Sequence, residues 1–106
     1  MRLGFEWDAA KATANRERHG VDFTEALTVF VDPWARLSDD PDHLADEHRE
    51  IIVGHSDENR LLVVSFMERA GNLRIISARR ATRRERERYE PESGVDRGHV
   101  WSDLAV

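Results

Sequence analysis

At 106 residues, with 40% hydrophobic and 8% aromatic side chains, the chain is long enough for one packed domain and too short for two. It has no cysteine, which excludes a disulfide framework and a thiolate metal site. A net charge of −5 argues against a nucleic-acid partner, but the charge is unevenly spread. Nine acidic residues fall between Asp32 and Glu58, against Arg36 and Arg49. Six arginines fall between Arg79 and Arg88, against Glu85 and Glu87. Of the 16 basic side chains only Lys11 is a lysine, and arginine presents a planar fork suited to phosphate. The opening MRLGFEWDAA lacks the apolar stretch of a signal peptide, and no run is long enough to span a bilayer, which points to the cytoplasm.

Leu3 to Trp7 is short and aromatic and predicts an opening strand. Asp8 is placed to cap a helix running to His19, and Gly20 supplies the left-handed residue that ends it. Asp22 with Glu25 reads as a capping box for a second helix, in which Phe23, Ala26, Leu27 and Phe30 recur at helical spacing. Asp32-Pro33 stops it. From Trp34 the period changes. Trp34 to Leu37 is a strand candidate, and Asp39 to Glu47, with Pro41, reads as an exposed acidic loop. Glu50 to Gly54 and Leu61 to Phe66 predict strands joined by the turn at Ser56 to Asn59. Ala70-Gly71-Asn72 turns into a last strand, Leu73 to Ala78. Thr82 with Glu85 is a second capping box, opening a charged helix that Pro91 should end near Glu90.

The order is β-α-α-β-β-β(-β)-α, an α+β fold in which an antiparallel sheet is packed by two N-terminal helices and a C-terminal helix. Residues 1–90 form the domain. Residues 91–106 form a tail, which Val100, Trp101 and Leu104 could dock. The expected core joins Phe5, Trp7, Phe23, Leu27 and Phe30 to Ile52, Val64 and Ile76.

Three segments together resemble the BrnT toxin family. They are Phe5-Glu6-Trp7-Asp8 with Lys11 and Asn15, then His19-Gly20-Val21 with Phe23, and Arg74 to Thr82 leading to Glu85 and Tyr89. The resemblance spans about residues 5–90. It implies a RelE-like fold and the toxin of a type II toxin–antitoxin system, a metal-independent endoribonuclease that cleaves RNA and inhibits translation without a cofactor. It further implies a cognate antitoxin resembling BrnA, in a heterotetramer or beside a toxin homodimer, and no membrane partner. A reading from another class stays open: a non-catalytic nucleic-acid or partner-binding module acting in an autoregulatory repressor complex.

A metal-free ribonuclease needs a base for the 2′-hydroxyl, a cation for the phosphorane charge and an acid for the leaving oxygen. Arg79, His19 and Tyr89 are the catalytic candidates. Lys11, Arg74, Arg80, Arg83 and Arg84 are the candidates for RNA contact. Strand alternation puts Arg74 and Arg80 on one face and Arg79 on the other, unless the strand ends or bulges before Arg80. Tyr89 either anchors its helix to the sheet or meets RNA by stacking or hydrogen bonding. His19, beside the C-cap glycine, is equally explained by the helix dipole. Lys11 lies about two turns up the same helix, so the two residues could border one groove. His43, Asp46, Glu47 and His48 have poor metal spacing on a loop, and no metal site is expected there. Arg84 and Arg88, one turn apart, mark a charged helix face.

Overall fold

The structure, a computed structural model, describes residues 4–40 and 48–93, with side chains described up to residue 89. Strand β1 (Gly4–Glu6) leads into α1 (Ala9–His19) and α2 (Phe23–Thr28), which continues as a single 3₁₀ turn, Val29–Val31. Strands β2 (Arg36–Asp39), β3 (Arg49–His55), β4 (Leu61–Arg69) and β5 (Asn72–Arg80) follow, and α3 (Arg83–Ser93) comes last.

Helix α1 begins and ends where its cap residues dictate. The Asp8 carboxylate accepts from the Lys11 amide at 3.0 Å, and Gly20 adopts φ 71, a left-handed conformation open to glycine at no steric cost. At α2 the expected capping box does not form. Asp22 makes no side-chain cap bond, and Glu25 turns inward to Arg60 and Ser56. The capping box at α3 is made: the Thr82 hydroxyl accepts from the Glu85 amide at 3.1 Å, and the Glu85 carboxylate accepts from the Thr82 amide at 2.8 Å. Helix α3 runs through Pro91 to Ser93 rather than stopping near Glu90. Pro91 removes its own amide bond and crowds the Glu87 carbonyl, and the helix ends two residues on.

The sheet order is β1-β5-β4-β3-β2. Strands β2 to β5 form the expected antiparallel meander, but β1 pairs parallel to β5, so the sheet is mixed. Hydrophobic pattern carries no information on strand direction, and three-residue β1 is fixed by its side chains. Glu6 accepts from Arg74 at 2.9 Å and from Asn72 at 3.3 Å.

One face of the sheet carries α1 and α2. Val21, Phe23, Ala26 and Val29 pack there against Ile52, Leu62, Val64, Phe66, Ile75 and Ala78. Trp7, Leu27 and Phe30 flank this core as expected. Phe5 and Ile76 do not belong to it. Phe5, on edge strand β1, is 37% exposed, although its ring meets Phe30 edge-on. Ile76 is displaced by a bulge: Ser65 pairs with Ser77 while Phe66 pairs with Ile75, leaving Ile76 as the extra residue of β5. Ile75 and Ala78, three apart, therefore both face the core. Gly54 lets β3 approach the turn after α2. A Cβ there would meet Ala35 Cβ and Asp32 Oδ2 at 2.9 Å.

Beyond Ala78 the open edge of β5 is closed by a side chain. Asn15 Nδ2 donates to the Ala78 carbonyl at 2.8 Å and to the Val21 carbonyl at 2.9 Å, while Asn15 Oδ1 accepts from the Ala78 amide at 3.1 Å. Its amide replaces the missing strand, and that explains a buried asparagine on an otherwise exposed helix. The acidic segment 41–47 and the tail beyond Ser93, with Val100, Trp101 and Leu104, lie outside the described residues.

Candidate active site

The β5 bulge decides which arginines share a face. Before it, Arg74 points away from the core; after it, Ser77 and Arg79 do, and Arg80 follows Ala78 toward the helical side. Arg74 and Arg79 thus share the face opposite α1 and α2, where uninterrupted alternation would have separated them.

Helix α3 lies against that second face and encloses a cavity of about 480 Å³. Its floor is apolar, formed by Ile51, Val53 and Val63, and Arg36, Arg79 and Arg88 stand around it. These arginines come from β2, β5 and α3, so three elements focus positive charge on one space. Arg88 makes no ion pair among the described residues.

Arg79 is held in place. Both of its terminal nitrogens donate to Glu85, at 2.8 Å each, and one also reaches the Arg80 carbonyl at 3.3 Å. The fork-to-fork contact fixes the guanidinium plane and leaves further N–H groups available. Arg79 and the Thr82 amide hold the Glu85 carboxyl down at about 2, and Glu85 in turn raises the Arg79 pKa. A carboxylate that acidic is a weak base at neutral pH, where it stays charged and holds the Arg79 guanidinium.

Tyr89 also lines the cavity, but its ring is only 3% exposed. Its hydroxyl donates to the Trp34 carbonyl at 3.1 Å and lies 3.4 Å from Asp32 Oδ2. Asp32 further accepts from the amides of Trp34 at 3.0 Å and His55 at 2.7 Å. The His55 ring meets that of Tyr89 at 5.7 Å. This geometry matches the anchoring role for Tyr89, pinning α3 to the β2–β3 end of the sheet.

His19 and Lys11 do share a groove, as their helical spacing allows, but it is a separate one. A cavity of about 170 Å³ lies where α1 passes β5, lined by Lys11, Arg18, His19, Ile76 and Ser77 among others. The other candidates line neither cavity. Arg74 is tied to Glu6, and Arg83 pairs with Glu87 at 3.4 Å. Arg80 and Arg84 are exposed. Arg36 and Glu85 went unassigned to the site in the sequence, Arg36 because it sits in an acidic stretch and Glu85 because its capping role already accounted for it. Among the described residues, the group able to bring metal-ligating atoms together is Asp39, His48 and Glu50, within 4.8 Å of one another on an exposed edge. His43, Asp46 and Glu47 lie outside the described residues.

Residues 7–85 match the family model described as the ribonuclease toxin, BrnT, of type II toxin–antitoxin systems. The chain belongs to the BrnT family. The matched span runs from Trp7 through Asn15, His19 and Arg79 to Glu85, and so takes in the smaller cavity and all of the larger one's lining except Arg88 and Tyr89. The fold is that of a BrnT toxin too: the crystal structure of the Brucella abortus ribonuclease toxin BrnT superimposes with a TM-score of 0.60 at 24% identity, covering 77% of this chain and all of that one. No curated protein matches the chain. Membership of a BrnT toxin–antitoxin family implies an antitoxin partner. Among the described residues no helix is long and apolar enough to cross a membrane.

Proposed function

We propose that this BrnT-family chain is a metal-independent endoribonuclease that cleaves RNA in the cavity beneath α3 and thereby inhibits translation in the cytoplasm. The observation that carries the reading is the convergence of Arg36, Arg79 and Arg88 on one apolar-floored cavity, with Arg79 locked in plane by Glu85. RNA supplies its own nucleophile, the 2′-hydroxyl. What the protein must add is preorganised positive charge where the phosphorane becomes more negative, and a fixed guanidinium over an apolar floor is suited to that. Among the described residues no histidine or lysine lines this cavity, so the contribution of those that do is electrostatic rather than a proton shuttle poised at neutral pH. An antitoxin resembling BrnA neutralises the toxin by placing acidic and apolar groups over the same arginines. The toxin assembles as a homodimer or as a heterotetramer with its antitoxin.

Expression of the chain alone and together with its neighbouring gene tests this. The expected outcome is growth arrest with RNA degradation when the chain is alone, and relief by the partner. Arrest without loss of RNA, or RNA binding without any toxicity, would favour a non-catalytic module in a repressor complex.

A further inference from the structure

The smaller cavity between α1 and β5 is unlike the rest of this acidic protein. Lys11, Arg18 and His19 stand on one side of α1, at relative positions 0, 7 and 8, and so share a helix face. None of their side chains makes a hydrogen bond or ion pair among the described residues, and no carboxylate lines the groove. The cavity beneath α3, by contrast, includes Asp39 and Glu85 in its walls. The groove is also rigidly built. Asn15, in its lining, is consumed by Val21 and Ala78, which locks α1 to the β5 edge, and the bulged Ile76 lines the groove beside it.

We propose that this groove is a second RNA-binding subsite, taking a backbone phosphate of the strand whose scissile bond lies at Arg79. The proposal rests on the ribonuclease reading above. Both cavities border β5: Ser77 lines the groove, Arg79 lines the larger cavity, and both point to the same sheet face. Two residues of strand set Ser77 and Arg79 about 7 Å apart. Phosphates of a stacked strand advance about 3.4 Å each, so a strand leaving Arg79 reaches the groove after about two nucleotides. A cationic groove without acids suits phosphate better than it suits a mixed protein surface. His19 belongs to this subsite and not to the cleavage cavity.

The test is fluorescence anisotropy with a short single-stranded RNA methylated at its 2′ oxygens, which removes the nucleophile and makes binding independent of cleavage. Lys11→Gln/Arg18→Gln should weaken binding by about tenfold. It should also reduce the slope of log affinity against log salt by about 0.7, the value for one single-strand phosphate contact. Arg49→Gln/Arg69→Gln removes the same charge from a surface outside both cavities and should leave the slope unchanged. Equal slopes for wild type and the groove variant overturn the proposal, as does an equal loss in both double variants or a wild-type protein that does not bind. So does a groove variant that binds RNA normally and loses only affinity for the antitoxin, which would give the groove to the partner. If the groove variant behaves as expected but wild type leaves unmethylated RNA intact, the subsite stands and the cleavage assignment falls.

Discussion

Arg79 and Glu85 form a two-pronged ion pair, 2.8 Å on each side, that links the end of the last strand to the first turn of the last helix. Thr82 completes it from the helix cap, so one carboxylate both starts α3 and aims the arginine. Glu85→Gln should keep the cap partly intact but free the guanidinium. It should lower the cleavage rate by about ten- to a hundredfold with little change in RNA affinity, since a misplaced group costs rate before it costs binding. Equal losses in kcat and in affinity would place Glu85 in substrate binding instead.

The same pair makes a pH prediction. The Glu85 carboxyl is held at about 2, below its ordinary value of 4.5, chiefly by the hydrogen bonds from Arg79. A depressed carboxylate contributes stability in full above its unfolded-state value, and loses it as pH falls through the folded value. The stability gap between wild type and Glu85→Gln should therefore be widest above pH 4.5 and shrink as pH falls towards 2. A gap that stays constant in urea titrations across that window would show that the pair does not form.

Arg60 and Glu25 form the counterpart on the helical face. Two Arg60 nitrogens and the Ser56 hydroxyl donate to Glu25, and Arg60, the largest influence, holds its carboxyl below the usual range. Glu25 is buried, so Arg60→Ala strands a charge inside the protein and should destabilise by about 3 kcal/mol in denaturant unfolding. A loss well under 1 kcal/mol, as for a surface pair, would contradict the buried geometry.

Asn15→Ala should cost about 2 kcal/mol, because the Ala78 amide and carbonyl and the Val21 carbonyl lose their partner. The distinguishing readout is hydrogen exchange at the Ala78 amide, which should become fast while the Leu62–Arg80 pairing stays protected. Unchanged protection at Ala78 would mean that another group closes the β5 edge.

Local chemistry made α1 legible in the sequence almost to the residue, because Asp8 and Gly20 are each sufficient for their end. The β3–β4–β5 hairpins were equally plain from apolar runs and turns, including left-handed Ala70 and Gly71. What escaped was long-range. Glu25 reads as a cap from its three-residue spacing to Asp22, yet Arg60, 35 residues on, captures it. Nothing within β5 marks Ile76 as its bulge, since Ile75 and Ile76 are the same side chain and only their partners on β4 differ. That one bulge moved Arg79 to the face of Arg74 and put Ile76 outside the core. The catalytic candidates divide between two cavities, Arg79 and Tyr89 in one and His19 in the other, because His19 comes from α1.

The most direct measurement is single-turnover cleavage of RNA by purified protein in EDTA, comparing wild type with Arg79→Ala and His19→Gln at several pH values, each shown to be folded. Wild type should cut with metal chelated, and its rate should show no histidine inflection near about pH 6.5. His19→Gln should keep the shape of that profile, and Arg79→Ala should lose about 3 kcal/mol of transition-state stabilisation, roughly a hundredfold in rate. Folded Arg79→Ala cutting at the wild-type rate, or wild-type activity abolished by chelation and restored by a divalent ion, would contradict an arginine-based, metal-free site beneath α3.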